Sequence, residues 1–327
     1  MFGRTPVNVA LLLSCLTLSG CDTGTPPASW EELAVGGAYS ASLSSDGKLA
    51  VVGAFNHGGS LWDIQARERL YDWNHVNQGF SVISAAAFSP NADYALTATQ
   101  LDLVLWDVTS GQPRAYWSAP AEIMQLDLSP AGDFALLGLA NHTAVLFDVK
   151  QGGVKRTLRH EARVRSVDLS RDGQFAVTGS DAYKTRFWDI QQGTELQSIT
   201  LGNVVDTVAL SPDAQRAFSS GSLDKAVIWD TQSGEILHTL SDINSIKQQR
   251  VSYLSARFSD DGEQLLTGTA SGLVQLWSVA EGSVLKSWRV YKRDPYGPVH
   301  AGVYAVAFGA DGSYLAVSSN GILNQLQ

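Results

Sequence analysis

From residue 36 onward the chain is written in short runs of alternating apolar and polar residues, broken by Gly, Pro, Asp and Asn. Val164-x-x-Val167-x-Leu169 is one such run. Its alternation suits a half-buried β-strand. Asp172-Gly173 then supplies a chain reversal. The β-rich runs Gln174-Phe175-Ala176-Val177-Thr178 and Thr185-Arg186-Phe187-Trp188 follow. The pattern predicts an all-β chain of short antiparallel strands.

The runs recur. An apolar residue, a small residue and a turn begin at Leu43, Phe88, Leu128, Leu169, Leu210, Phe258 and Phe308, as in Leu43-Ser44-Ser45-Asp46-Gly47. These starts lie 45, 40, 41, 41, 48 and 50 residues apart. A second phrase follows the first six starts by 18 or 19 residues: Trp62-Asp63, Trp106-Asp107, Phe147-Asp148, Trp188-Asp189, Trp229-Asp230 and Trp277-Ser278. The paired phrases resemble those of the WD-repeat family, whose unit forms one four-stranded propeller blade. The resemblance covers residues 30–327 and implies a seven-bladed β-propeller.

The last repeat has only three strand-like runs, ending at Leu326, while Trp30 to Val35 reads as a strand with no partners before it. Together they would complete blade seven and leave no open sheet edge. Only repeat four offers His160, Thr178, Asp181 and Trp188 for the hydrogen-bonded set that many WD repeats carry. Packing is therefore expected to outweigh that network.

The first 29 residues are different in kind. Arg4 precedes an apolar stretch from Val7 to Leu18, too short to span a bilayer as a helix. Leu18-Ser19-Gly20-Cys21 resembles a bacterial lipobox, which implies removal of residues 1–20 and acylation of Cys21. A plain secretory leader is the alternative. Residues 22–29 are polar and Pro-rich, as in a linker. The expectation is a propeller held close to a bacterial membrane with its bottom face toward it, facing the periplasm or the exterior. Asp22 leans toward retention in the inner membrane.

Composition narrows the chemistry. Both cysteines, Cys15 and Cys21, fall within the first 21 residues, so the propeller has neither a disulfide nor a cysteine zinc site. A net charge of −9 argues against a nucleic-acid partner. The histidines lack metal-ligand spacing, and no cofactor is implied. Asp127 and Asp168 take equivalent places in adjacent repeats and could face the central channel, but no acid–base partner accompanies them. The chain is read as non-enzymatic.

Three connections between blades are long: Asp72 to Gly79, Ser241 to Gln249 and Tyr291 to Val299. They supply Trp73, His75, Lys247, Tyr291, Lys292, Arg293 and Tyr296 as candidate contacts, rich in residue types common at binding hot spots. Lys286, Arg289, Lys292 and Arg293 concentrate positive charge that could instead meet acidic lipid. The favoured function is a monomeric, lipid-anchored scaffold for another protein of the cell envelope. The alternative is a small-molecule or glycan binder, or an enzyme, that uses the channel.

The anchor is open to a direct check. Cys21→Ser is expected to accumulate with its leader uncut and to take up no fatty-acid probe. Labelling equal to that of the unaltered protein would remove the lipobox reading.

Overall fold

The computed structural model describes residues 24–76, 78–240, 251–294 and 301–327. The leader and Cys21 lie outside the described residues, as do Lys247 and Tyr296. Among the described residues, 28 strands form seven four-stranded antiparallel sheets, the seven blades of a propeller. Blades one to six take their strands in chain order, beginning at Ala38, Ala85, Ile123, Val164, Val205 and Tyr253. Blade seven contains Val303–Phe308, Tyr314–Ser318 and Ile322–Leu326, with Ser29–Glu32 as its outer strand. Trp30 pairs with Asn324 and Glu32 with Ile322, so the two ends of the chain share one sheet.

The repeated phrases are turn chemistry. In Leu169-Ser170-Arg171-Asp172-Gly173, the Ser170 hydroxyl donates to Asp172 at 2.6 Å and accepts from the Phe175 N–H at 2.9 Å. Ser44, Ser211 and Ser259 make the same pair of contacts, which locks the reversal between inner and second strands. The Asp of the second phrase closes the next reversal. Asp107, Asp148, Asp189 and Asp230 each accept the backbone N–H three residues on, at 2.7–2.8 Å. These carboxylates serve the turns.

No single core runs through the molecule. Seven apolar clusters occupy the seven gaps between neighbouring blades, the last joining blade seven to blade one. Trp229 and Trp277 are fully buried in these gaps. Blades approach so closely that some positions admit only Gly. A Cβ on Gly53 would sit 2.3 Å from the Ile83 carbonyl oxygen of blade two, and one on Gly268 would sit 2.4 Å from Val303 of blade seven.

Strand direction defines two ends. Connections from second to third strands and from one blade to the next lie at one end, the top. The Ser-Asp turns lie at the other, the bottom. The N-terminal segment does not leave from the bottom face as expected. Thr25 lies against the outer strand of blade six, Val284–Arg289, as a parallel bridge to Trp288. Its N–H donates to the Ser287 carbonyl at 3.0 Å, and its carbonyl accepts the Arg289 N–H at 2.9 Å. The segment therefore follows the rim of blade six.

Removing Ser29–Glu32 is expected to expose the edge of Ile322–Leu326 and the apolar gap beneath it. Aggregation, or a broad unfolding transition in place of a cooperative one, should follow in a thermal melt. An unchanged transition would mean that closure does not depend on this strand.

Candidate docking face and channel

In six of the seven inner strands the pairing register slips by one residue near the top, between Ala38 and Ser40, Ile123 and Gln125, Val164 and Ser166, Val205 and Thr207, Tyr253 and Ser255, and Val303 and Ala305. Such a bulge frees one side chain from the two-sided alternation and re-aims it. The freed residues are Tyr39, Met124, Arg165, Asp206, Leu254 and Tyr304, a ring at the top. Around blades six, seven and one it is apolar and aromatic. Around blades four and five it is charged: Arg165 lies 3.8 Å from Asp206 and also pairs with Asp181.

Loops enlarge the apolar arc. Tyr39 and Phe55 pack together with ring centroids 4.4 Å apart and are nearly half exposed. Val35 and Val82 are exposed beside them, and Phe80 is 65% exposed. Every exposed large apolar side chain among the described residues lies either at the top or on an outer strand. The bottom turns carry none. The sequence reading missed Tyr39, Leu254 and Tyr304, although the interrupted alternation of Val164-x-x-Val167 marked the bulge.

The expected contacts are redistributed. Trp73 is not a surface residue. It is 0% exposed, stacks on Trp106 at 5.1 Å, and donates its indole N–H to the Gly111 carbonyl at 3.1 Å. It continues the outer strand of blade one and fills the gap to blade two. Tyr291 stacks on Trp30 at 4.1 Å. Arg293 pairs with Glu32 at 2.5 Å and donates to the Ala34 and Asn320 carbonyls, fastening blade seven. Lys292 is half-buried.

His75 belongs to a hydrogen-bonded chain that runs into the gap between blades. Its Nε2 lies 2.8 Å from the Thr97 hydroxyl, which accepts the Trp106 indole N–H at 2.8 Å. His160, Thr178 and Trp188 repeat the arrangement at 2.8 and 2.9 Å. Trp229 with Ser219 and Trp277 with Thr267 keep its inner half. The polar network is therefore more extensive than the single repeat expected from sequence. Asp181 stands outside it, held by Arg163 and Arg165.

A cavity of about 580 Å³ occupies the channel and reaches the bottom turns, with Asp127, Asp168 and Arg257 in its wall. All three are committed to joining blades. Asp127 accepts the N–H of Leu128 at 2.8 Å and that of Leu169, in blade four, at 2.9 Å. Asp168 accepts the Leu210 N–H of blade five at 2.6 Å. Arg257 reaches past blade seven to the carbonyls of Leu43 and Ser44 at 3.1 and 3.0 Å. Burial raises the Asp127 pKa, and burial together with the neighbouring Asp127 charge raises that of Asp168 well above the usual range. The repulsion between the two carboxylates favours the protonated form of Asp168.

Residues 152–189, 234–278 and 296–324 match the family model for the WD domain, G-beta repeat. Those three segments are WD repeats. The first begins at the outer strand of blade three and ends with the third strand of blade four. The second likewise begins at the outer strand of blade five and ends with the third strand of blade six, whereas the described residues of the third lie in blade seven alone. No curated protein matches the chain.

The two half-buried histidines carry a pH signature. Burial pushes both His75 and His160 down to about 4. The unfolded chain, with ordinary values near 6.5, binds more protons between those limits. Their contribution to stability is complete above pH 6.5 and is lost as the pH falls toward 4, by up to about 3 kcal/mol each. The raised carboxyls Asp127 and Asp168 act with the opposite sign. A His75→Gln, His160→Gln variant is expected to lose melting temperature less steeply than the parent from pH 6.5 to 4. Parallel slopes would refute the assignment.

Proposed function

We propose that this chain is a non-catalytic scaffold that holds a protein partner on its top face and is tethered in a bacterial envelope through an acylated Cys21. Propellers built of WD repeats generally serve as protein-interaction scaffolds, which is the starting point. The observation that carries the reading further is the asymmetry of the two ends. Tyr39, Phe55, Leu254 and their neighbours place exposed apolar and aromatic groups at the top, while the bottom is polar. An apolar centre bordered by charged Arg165 and Asp206 has the anatomy of a protein interface.

The candidate contacts follow from exposure. Tyr39, Phe55 and Phe80 replace Trp73, which contributes to packing. Lys292 remains available near the same arc. The second reading, a small-molecule or glycan ligand, is favoured by the size of the channel cavity, within the range of ligand pockets. Asp127, Asp168 and Arg257 in its wall are already spent on backbone partners, so the first reading is preferred.

A pull-down from detergent-solubilised membranes with the full chain separates the two. A stoichiometric protein partner is expected, and Tyr39→Ala with Phe55→Ala should weaken its capture by about 1–3 kcal/mol if either is a hot spot. The variant's melting temperature should shift little, because exposed side chains carry little of the packing. Undiminished capture would move the interface elsewhere. Absence of a partner, together with a thermal shift on adding sugars or metabolites, would favour the channel.

A further inference from the structure

Blade two is left unfinished at its top. In each of the other six blades, the residue just before the buried start of the inner strand gives its carbonyl to the N–H that follows the second strand. That bond closes the sheet at its upper end. Gly37 accepts from Phe55 at 3.3 Å or less, at 3.1 Å, Glu122 from Ala140 and Arg163 from Asp181 at 2.9 Å, and blades five, six and seven make the same bond at 2.7–2.9 Å. Counting 45 residues on from blade one puts the equivalent pair at Val82 and Gln100. No such bond joins them, and the ladder of blade two begins only where Ala85 meets Ala98. Among the described residues, the Val82 N–H and carbonyl and the Gln100 N–H have no hydrogen-bond partner.

The segment that carries Val82 is nonetheless held in place. Phe80, Val82 and Ser84 are exposed while Ser81 and Ile83 are buried, the alternation of a strand without a neighbour. The Ser81 hydroxyl accepts the His75 N–H at 2.8 Å, and the Ser81 N–H donates to Asn74 at 2.9 Å. The Ile83 carbonyl accepts the Ser40 hydroxyl at 2.7 Å. Phe80 and Val82 flank the free backbone groups on one side, and the exposed Leu101 stands on the hairpin side. Natural edges are commonly guarded by charge or proline. From Trp73 to Ser89 the chain carries no Asp, Glu, Lys, Arg or Pro. On the hairpin side, Asp102 accepts the Ser118 hydroxyl and Glu122 the Gln100 amide, both at 2.9 Å. A charged side chain laid along Phe80 and Val82 would lose water without meeting a counter-charge, so charge complementarity selects an uncharged occupant.

We propose that the segment from Phe80 to Ile83 is a strand-addition site. An extended, uncharged segment of the protein partner pairs its backbone with Val82 and Gln100 and rests alternate side chains on Phe80, Val82 and Leu101. The proposal rests on the top-face reading and names the chemistry of that partner. Main-chain hydrogen bonds supply affinity in this mode, and alternate side chains supply selectivity. An edge already held in its extended form loses little freedom on binding.

The probe is a random heptapeptide library panned on the full chain. Enriched peptides are expected to be uncharged, with β-branched or aromatic residues at alternate positions. In a synthetic copy, N-methylation of the amides along one edge should weaken binding about tenfold, and along the other edge hardly at all, because an added strand pairs on one side. Val82→Pro removes an N–H that is unused in the free chain. It should keep the melting temperature and weaken peptide binding about tenfold, while Val82→Thr binds as the parent does. Phe80→Asp, at an exposed position, should weaken binding as well and decides the matter if Val82→Pro unfolds. Strand addition is overturned by a library that enriches nothing, by charged or helix-patterned peptides, by indifference to N-methylation, or by full binding to Phe80→Asp or to folded Val82→Pro. The membrane pull-down tells this failure from that of the top-face reading. Capture lost with Tyr39→Ala and Phe55→Ala but whole with Val82→Pro keeps the top face and removes the added strand, whereas capture undiminished by all three removes both.

Discussion

Each blade has two apolar faces, and neither is covered until the neighbouring blade is in place. The rest of the structure depends on this constraint. The seven apolar clusters lie between sheets, so removing any blade uncovers two of them. An open array would end in one bare face at each end, as repeat proteins without caps do. Pairing Ser29–Glu32 with Ile322–Gln325 makes the first gap and the last gap the same gap. The close approach at Gly53 and Gly268 follows from the same demand, since a ring can close only if every gap is equally narrow.

Around the channel the constraint takes a polar form. The inner strand of each blade has a free edge there, and its N–H and C=O groups need partners. Gln125 and Asp127 satisfy the N–H groups of Val167 and Leu169, and Ser166 and Asp168 do the same for Val208 and Leu210. Ser40, Thr207 and Ser255 donate to carbonyls of the following blade instead. Met as sequence the two carboxylates read as solvated acids lining the channel, because nothing in the sequence reveals that their lone pairs are occupied. In the fold they are staples, and the raised pKa of Asp168 is the cost of placing two of them side by side.

The blades were legible because a phrase such as Leu169-Ser170-Arg171-Asp172-Gly173 encodes a turn with its own hydrogen bonds, independent of what packs around it. The closing strand was legible because three strands at one end and one at the other admit a simple arithmetic. Trp73 was misplaced by one element boundary. Asp72 reads as the end of a strand, yet the Trp73 N–H continues the ladder to the Gly59 carbonyl at 2.8 Å. That puts Trp73 where Leu158, Ile199 and Trp288 stand in other blades. Aligned in this way, His75 falls two residues later, as His160 does after Leu158, and the second His-Thr-Trp chain emerges. The signal was present as register, obscured by the differing lengths of the loops. The seat of Thr25 was not legible, because it depends on the open edge of a strand more than 260 residues away.

The bulges reconcile this tightly determined ring with a variable binding surface. A residue in strict alternation must fit one gap or the other, so its identity is fixed by packing. The bulged residue escapes that choice, and its position carries Tyr, Met, Arg, Asp and Leu around one ring. Such a range of size and charge would be intolerable two residues further along the same strands, where Ala41, Leu126, Val167 and Val208 face the apolar gaps. The bulge therefore separates the two tasks of the inner strand. Its lower part holds the blades together, and its upper end can be apolar on one side of the ring and charged on the other without cost to closure.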